Sequence, residues 1–150
     1  MPIHLDIPKT YRSHIETRRI ESAAKAALQQ QAVPADAELS IVITTDEQIQ
    51  DLNYRFRGVD APTDVLSFPT EFTDPESGAA YLGDVVISFP RAESQSRAGG
   101  HDILAELQLL IVHGILHLLG YDHVDQDEKD RMWAAQAEII ANLGVDISPP

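Results

Sequence analysis

The chain has 150 residues, 43% of them hydrophobic and 23% charged. That balance builds one globular domain with a core and excludes a disordered tail or a fibrous repeat. Its 24 Asp and Glu against 11 Lys and Arg give a formal net charge of -13, which argues against nucleic acid held on a basic surface. With no cysteine, disulfides, thiol nucleophiles and thiolate metal sites are excluded, so any metal ligand is a His or a carboxylate.

The N-terminal MPIHLDIPKTYR lacks the basic and apolar regions of a secretory signal, and the expected compartment is the cytoplasm. Ile3, Leu5 and Ile7 alternate with polar residues and predict a short strand that Pro8 ends. From about Ser13 to Gln31 the period becomes helical. Ile20, Ala23, Ala24, Ala27 and Leu28 share one face, Arg12, Arg18, Arg19 and Lys25 mark the approach and the other faces, and Pro34 closes the segment. Leu39, Ile41 and Ile43 predict a second strand over Glu38 to Thr44. Thr45 and Gln48 form a capping box for a short helix through Phe56, with Ile49, Leu52 and Phe56 inward.

The turn-rich GVDAPTD leads into a strand at Val65 to Phe68 that Pro69 terminates, followed by a polar loop, EFTDPESGAAYLG. Val85-Val86-Ile87 lies in a fourth strand, Asp84 to Ser88, apolar enough to be buried on both faces. A polar segment containing Gly99-Gly100 separates it from a helix at about Asp102 to Leu119. This is the longest apolar stretch, but Glu106, Gln108, His113 and His117 inside it mark a core helix, not a membrane span. A last helix from about Asp127 to Leu143 turns Met132, Ala135, Ile139 and Leu143 inward and ends at Gly144. The order predicts a single α/β domain over residues 1–150, with a mixed sheet of roughly four strands covered by helices.

Three of the six histidines fall within eleven residues, HGILHLLGYDH from His113 to His123. Four residues apart on a helix, His113 and His117 share a face and can chelate one ion. Gly120 is suited to end the helix and let the chain turn back, bringing His123 over the pair. Three neutral nitrogens without a fourth protein ligand make a catalytic zinc cleft with one open position. The alternative, unpaired imidazoles in an apolar segment, is costly. The commonest zinc-protease motif has Glu directly after the first His; here it is Gly114, which disfavours peptide hydrolysis.

The run HGILHLLGYDH matches the signature H-G-x-L-H-L-x-G-Y-D-H and resembles the YbeY-type endoribonucleases, bacterial rRNA maturation factors. The likeness extends to Leu52-Asn53, Arg57-Gly58, Pro62 to Phe68, and Leu82-Gly83-Asp84 with Ile87. The resemblance implies that His113, His117 and His123 hold one zinc ion per chain in a cleft of a single α/β domain, with Arg57 as the catalytic basic residue beside it. It further implies a zinc-dependent, single-strand-specific endoribonuclease of 16S rRNA 3′ end maturation and ribosome quality control. The implied partners are rRNA, the small ribosomal subunit, the GTPase Era and a small-subunit ribosomal protein, with no membrane.

Such a site suits phosphodiester hydrolysis, because zinc polarises a phosphoryl oxygen and a guanidinium fork matches phosphate oxygens. Without the resemblance, Arg57 reads as a solvated arginine near Asp60 or Asp64. Asp122 either orients a ligand histidine from behind or caps the turn, and both readings stand. Thr63 and Asp64 are expected to organise the turn before Val65. Tyr121, Met132 and Trp133 are expected to pack in the core, and His101 to be solvent-exposed. Two rivals remain: a ribosome-assembly factor with a structural metal, and a zinc hydrolase of another bond, such as a peptidase. The charge divides unevenly, with 7 basic against 8 acidic residues up to Arg57 and 4 against 16 beyond it. The basic residues are expected to gather in the first helix and its approach to the cleft.

Overall fold

The alternation of Leu39, Ile41 and Ile43 becomes a strand, Glu38–Thr44, in the middle of a four-stranded mixed sheet. A computed structural model describes residues 2–145 and 147. The elements are β1 (Ile3–Asp6), α1 (Lys9–Arg12), α2 (Thr17–Gln30), β2 (Glu38–Thr44), α3 (Asp46–Arg57), β3 (Val65–Thr73), β4 (Ala80–Ser88), α4 (Phe89–Gly99), α5 (Ile103–Leu118) and α6 (Gln126–Asn142). Strand order is β1-β2-β4-β3. β1 and β4 flank β2 in parallel, while β3 returns antiparallel to β4 as an edge strand.

Consecutive residues of a strand point to opposite faces, and this separates two cores. Val85 and Ile87 join Leu39, Ile41 and Ile43 beneath α2, α4, α5 and α6, whereas Val86 joins Ile49 and Leu66 beneath α3. The larger core is built on α5, where 12 of 16 residues are buried. The sequence-predicted face of α2 is the buried one: Ile20, Ala23, Ala24, Ala27 and Leu28.

Several expectations are corrected. Pro69 does not end β3; the strand continues to Thr73 with a register shift between Pro69 and Phe72, as an edge strand tolerates a residue without an N–H. The segment read as a polar loop is therefore largely a hairpin. The polar stretch after Ser88 is a helix, α4, with Ser88 accepting from the Arg91 N–H at 3.3 Å, Pro90 in its first turn and Gly100 left-handed at its end. Phe56 is 64% exposed instead of inward, since the last turn of α3 carries it only as far as an edge contact with Phe68, 5.4 Å between centroids. Asn53 is buried in its place and donates to the Ala61 carbonyl at 2.9 Å, fastening the loop after Arg57. Nor do all the basic residues approach the histidines: Arg19 bonds Gln108 and pairs with Asp102 at the opposite end of α5.

Candidate metal centre

The site forms where α5 stops. Gly120 has φ +100°, a conformation that glycine takes without strain, while the Gly120 and Tyr121 N–H groups cap carbonyls of the last helical turn. The chain reverses, and Asp125 opens α6 by accepting from the Glu128 N–H at 2.8 Å. His123 is held in the short connection between these two caps. One ring nitrogen from each of His113, His117 and His123 then lies within 4.8 Å of the others.

The His113 and His117 Nε2 atoms are 3.2 Å apart. Two nitrogens bound tetrahedrally at about 2.0–2.1 Å from zinc stand about 3.3 Å apart, so this spacing fits a shared ion. Burial holds the His113 pKa below the ordinary histidine value, the Gln136 hydrogen bond and Asp64 opposing it. His117 is pushed down to about 4 by burial, then by His113 and His123. Both shifts favour the neutral, lone-pair-bearing ring that a metal requires.

Arg57, Thr63, Asp64, Ser67, Tyr121 and Asp122 line a cleft of about 490 Å³ with the three histidines. Arg57 enters from the opposite layer, as the last residue of α3 before left-handed Gly58. Asp122 accepts from the His123 N–H at 2.7 Å, the turn-capping geometry. Asp64 accepts from the Val65 N–H at 2.8 Å, as a turn organiser should, and also faces the cleft. Tyr121 packs against the main core while lining the cleft.

Gly114 has a structural cause. A Cβ there would stand 2.6 Å from Val85 Cγ1, and its carbonyl accepts from Ser67 Oγ at 2.8 Å. Any side chain at this position would collide with Val85 of β4.

Sequence reasoning missed two residues of the site, both on α6. Gln136 Oε1 lies 2.9 Å from His113 Nδ1, and the Trp133 ring stands edge-on to His113 and His123 at 5.7 and 5.8 Å. Trp133 is therefore a wall of the site and not only core. The available signal was their spacing of three residues, which places them on one helical face. His101, expected in solvent, is instead largely buried against Glu106, Nε2 to Oε1 2.6 Å.

The sequence profile described as Endoribonuclease YbeY matches residues 7–144. The chain belongs to the YbeY family. A YbeY endoribonuclease of Geobacillus kaustophilus is 43% identical, the match covering 97% of this chain and 99% of the relative. That of Roseiflexus is 41% identical, over 95% and 93%. A Thermotoga maritima protein with a known solution structure superposes with a TM-score of 0.63 at 25% identity, over 94% of this chain and 88% of that one. The fold is thus shared with that protein over almost the whole chain.

Proposed function

We propose that the chain, acting as one domain over residues 1–150, is a zinc-dependent endoribonuclease that cuts single-stranded RNA during rRNA maturation. The observation that carries this reading is three histidine nitrogens within 4.8 Å of one another in a cleft that Arg57 also lines. His113, His117 and His123 would hold the ion and, being neutral, leave it its full charge. When bound, zinc supplies a Lewis acid for a phosphoryl oxygen.

The other contributions come from the chain's own residues. Arg57 offers a planar fork of donors to the phosphate oxygens and balances charge that develops there. The Gly58 turn and the Asn53 to Ala61 bond set the backbone around Arg57, and its side chain lines the cleft. Asp122 holds the backbone of His123 in place. Against a peptidase stands Gly114, pressed on Val85 where a glutamate base would be needed. Against a purely structural metal stands the openness of the cleft, which a structural site closes with a fourth protein ligand.

The family supports rRNA as the substrate class. The 16S 3′ end, the small ribosomal subunit, Era and a small-subunit ribosomal protein are the partners this reading assigns, in the cytoplasm. No single described helix is long and apolar enough to cross a membrane. With a net charge of -13, docking to the ribosome by protein contacts, and not attraction to naked RNA, would supply affinity. Metal analysis of the purified protein, combined with cleavage of single-stranded rRNA with and without chelator, tests the reading. Stoichiometric zinc and chelator-sensitive cleavage are expected; metal-free protein that cuts equally well would refute it.

A further inference from the structure

Helix α6 turns Met132, Ala135, Ile139 and Ile140 into the core, and among these apolar residues sits one amide, Gln136, only 1% exposed. We propose that Gln136 is a positioning residue that fixes His113 in the tautomer able to take a metal; the proposal rests on the metal reading above.

The amide oxygen faces His113 Nδ1 at 2.9 Å. A carbonyl oxygen only accepts, so Nδ1 carries the ring proton and Nε2 keeps its lone pair. That lone pair belongs to the atom 3.2 Å from His117 Nε2, so the hydrogen bond behind the ring determines what its front can bind. Were the amide reversed, its N–H would donate to Nδ1 and the proton would move to Nε2, closing the site.

The other end of the amide gives independent support. Gln136 Nε2 is buried and has no hydrogen-bond partner among the described residues. A leucine or methionine would fill the space without stranding a donor. Packing therefore does not account for a glutamine here, whereas its contact with His113 does. A carboxylate would orient the ring equally well but would add negative charge behind the ligand. The amide orients the ring and leaves the charge of the ion undiminished. Trp133, three residues earlier on the same face, braces His113 and His123 by ring edges. It is the chain's only tryptophan, so its emission reports metal at the site without any RNA assay.

The test uses full-length protein stripped of metal. Nitrogen-15 spectra of the wild type should show His113 as the Nδ1–H tautomer. Zinc titration against a competing chelator, followed by Trp133 emission, should give Gln136→Met an affinity about 10- to 100-fold below wild type. Gln136→Glu should bind at least as tightly as wild type, since a carboxylate keeps the acceptor. An Nε2–H tautomer in the metal-free wild type, wild-type affinity in Gln136→Met, or equal weakening in both variants would overturn the proposal. The tautomer measurement stands alone if Gln136→Met fails to fold. A wild type that binds no zinc would bring down the metal reading and this proposal together, while a zinc-binding wild type with an indifferent Gln136 would bring down this proposal alone.

Discussion

Helix α5, about 24 Å long by helical rise, has a polar group that includes histidine near each end, and the two groups are arranged in opposite ways. At the N-terminal end, His101 bonds Glu106, and Gln108 exchanges hydrogen bonds with the Arg19 guanidinium and carbonyl. Polar groups there are paired with one another, although a cavity of about 560 Å³ adjoins them. At the C-terminal end, His113 and His117 turn ring nitrogens toward one point beside Arg57 and an open cleft. The lesson is that neither histidine content nor cavity size marks a centre of chemistry. Ring nitrogens that converge on one point at an open cleft do.

The contrast is broken most severely by His117→Ala. Zinc content should fall to background and RNA cleavage by about a thousandfold or more, as expected when a Lewis acid worth several kcal/mol is lost. Arg57→Ala should retain zinc and melting temperature but cut more slowly, by about a hundredfold in kcat, the scale of removing one donor to developing charge. Cleavage at the wild-type rate would remove Arg57 from the reaction.

Lowering pH acts on the same end of α5. The folded chain holds His113 and His117 neutral below the ordinary histidine value of 6.5, His117 down to about 4. The stability linked to these rings is present above 6.5 and is lost as pH falls towards about 4. The metal-free protein should therefore unfold more easily across that window, and a melting temperature flat between pH 7 and 4.5 would contradict the assignment.

The smallest effect belongs to the other end. His101→Ala should leave Glu106 buried without its partner, costing about 1–3 kcal/mol and lowering the melting temperature by a few degrees, with zinc content and cleavage unchanged. A loss of cleavage beyond that explained by unfolding would erase the distinction between the two ends.

The legible parts of the chain were those in which one pattern dominated. β2 and the buried face of α2 follow period and composition, and the histidine run follows the reach of one helical turn. The end of α5 follows Gly120. What escaped was set by tertiary surroundings. α4 has few apolar residues to mark a period, although Ser88, Pro90 and Gly100 announced its ends. Phe56 obeys the helical spacing of Ile49 and Leu52 but projects beyond the sheet that covers them. Pro69 stops a central strand, not an edge. Gln136 and Trp133 belong to the site only because α6 folds back over α5, a contact encoded in neither segment alone.

Arg57 reaches the cleft around the rim of the sheet, from the layer that does not carry the histidines. His113 and His117 ride on the buried helix α5, whereas Arg57 is an exposed side chain at the end of α3, next to Gly58. Its guanidinium can swing aside while every contact beneath the histidines stays intact. Movement at the mouth of the cleft is thereby separated from the packing of the helix that carries His113 and His117.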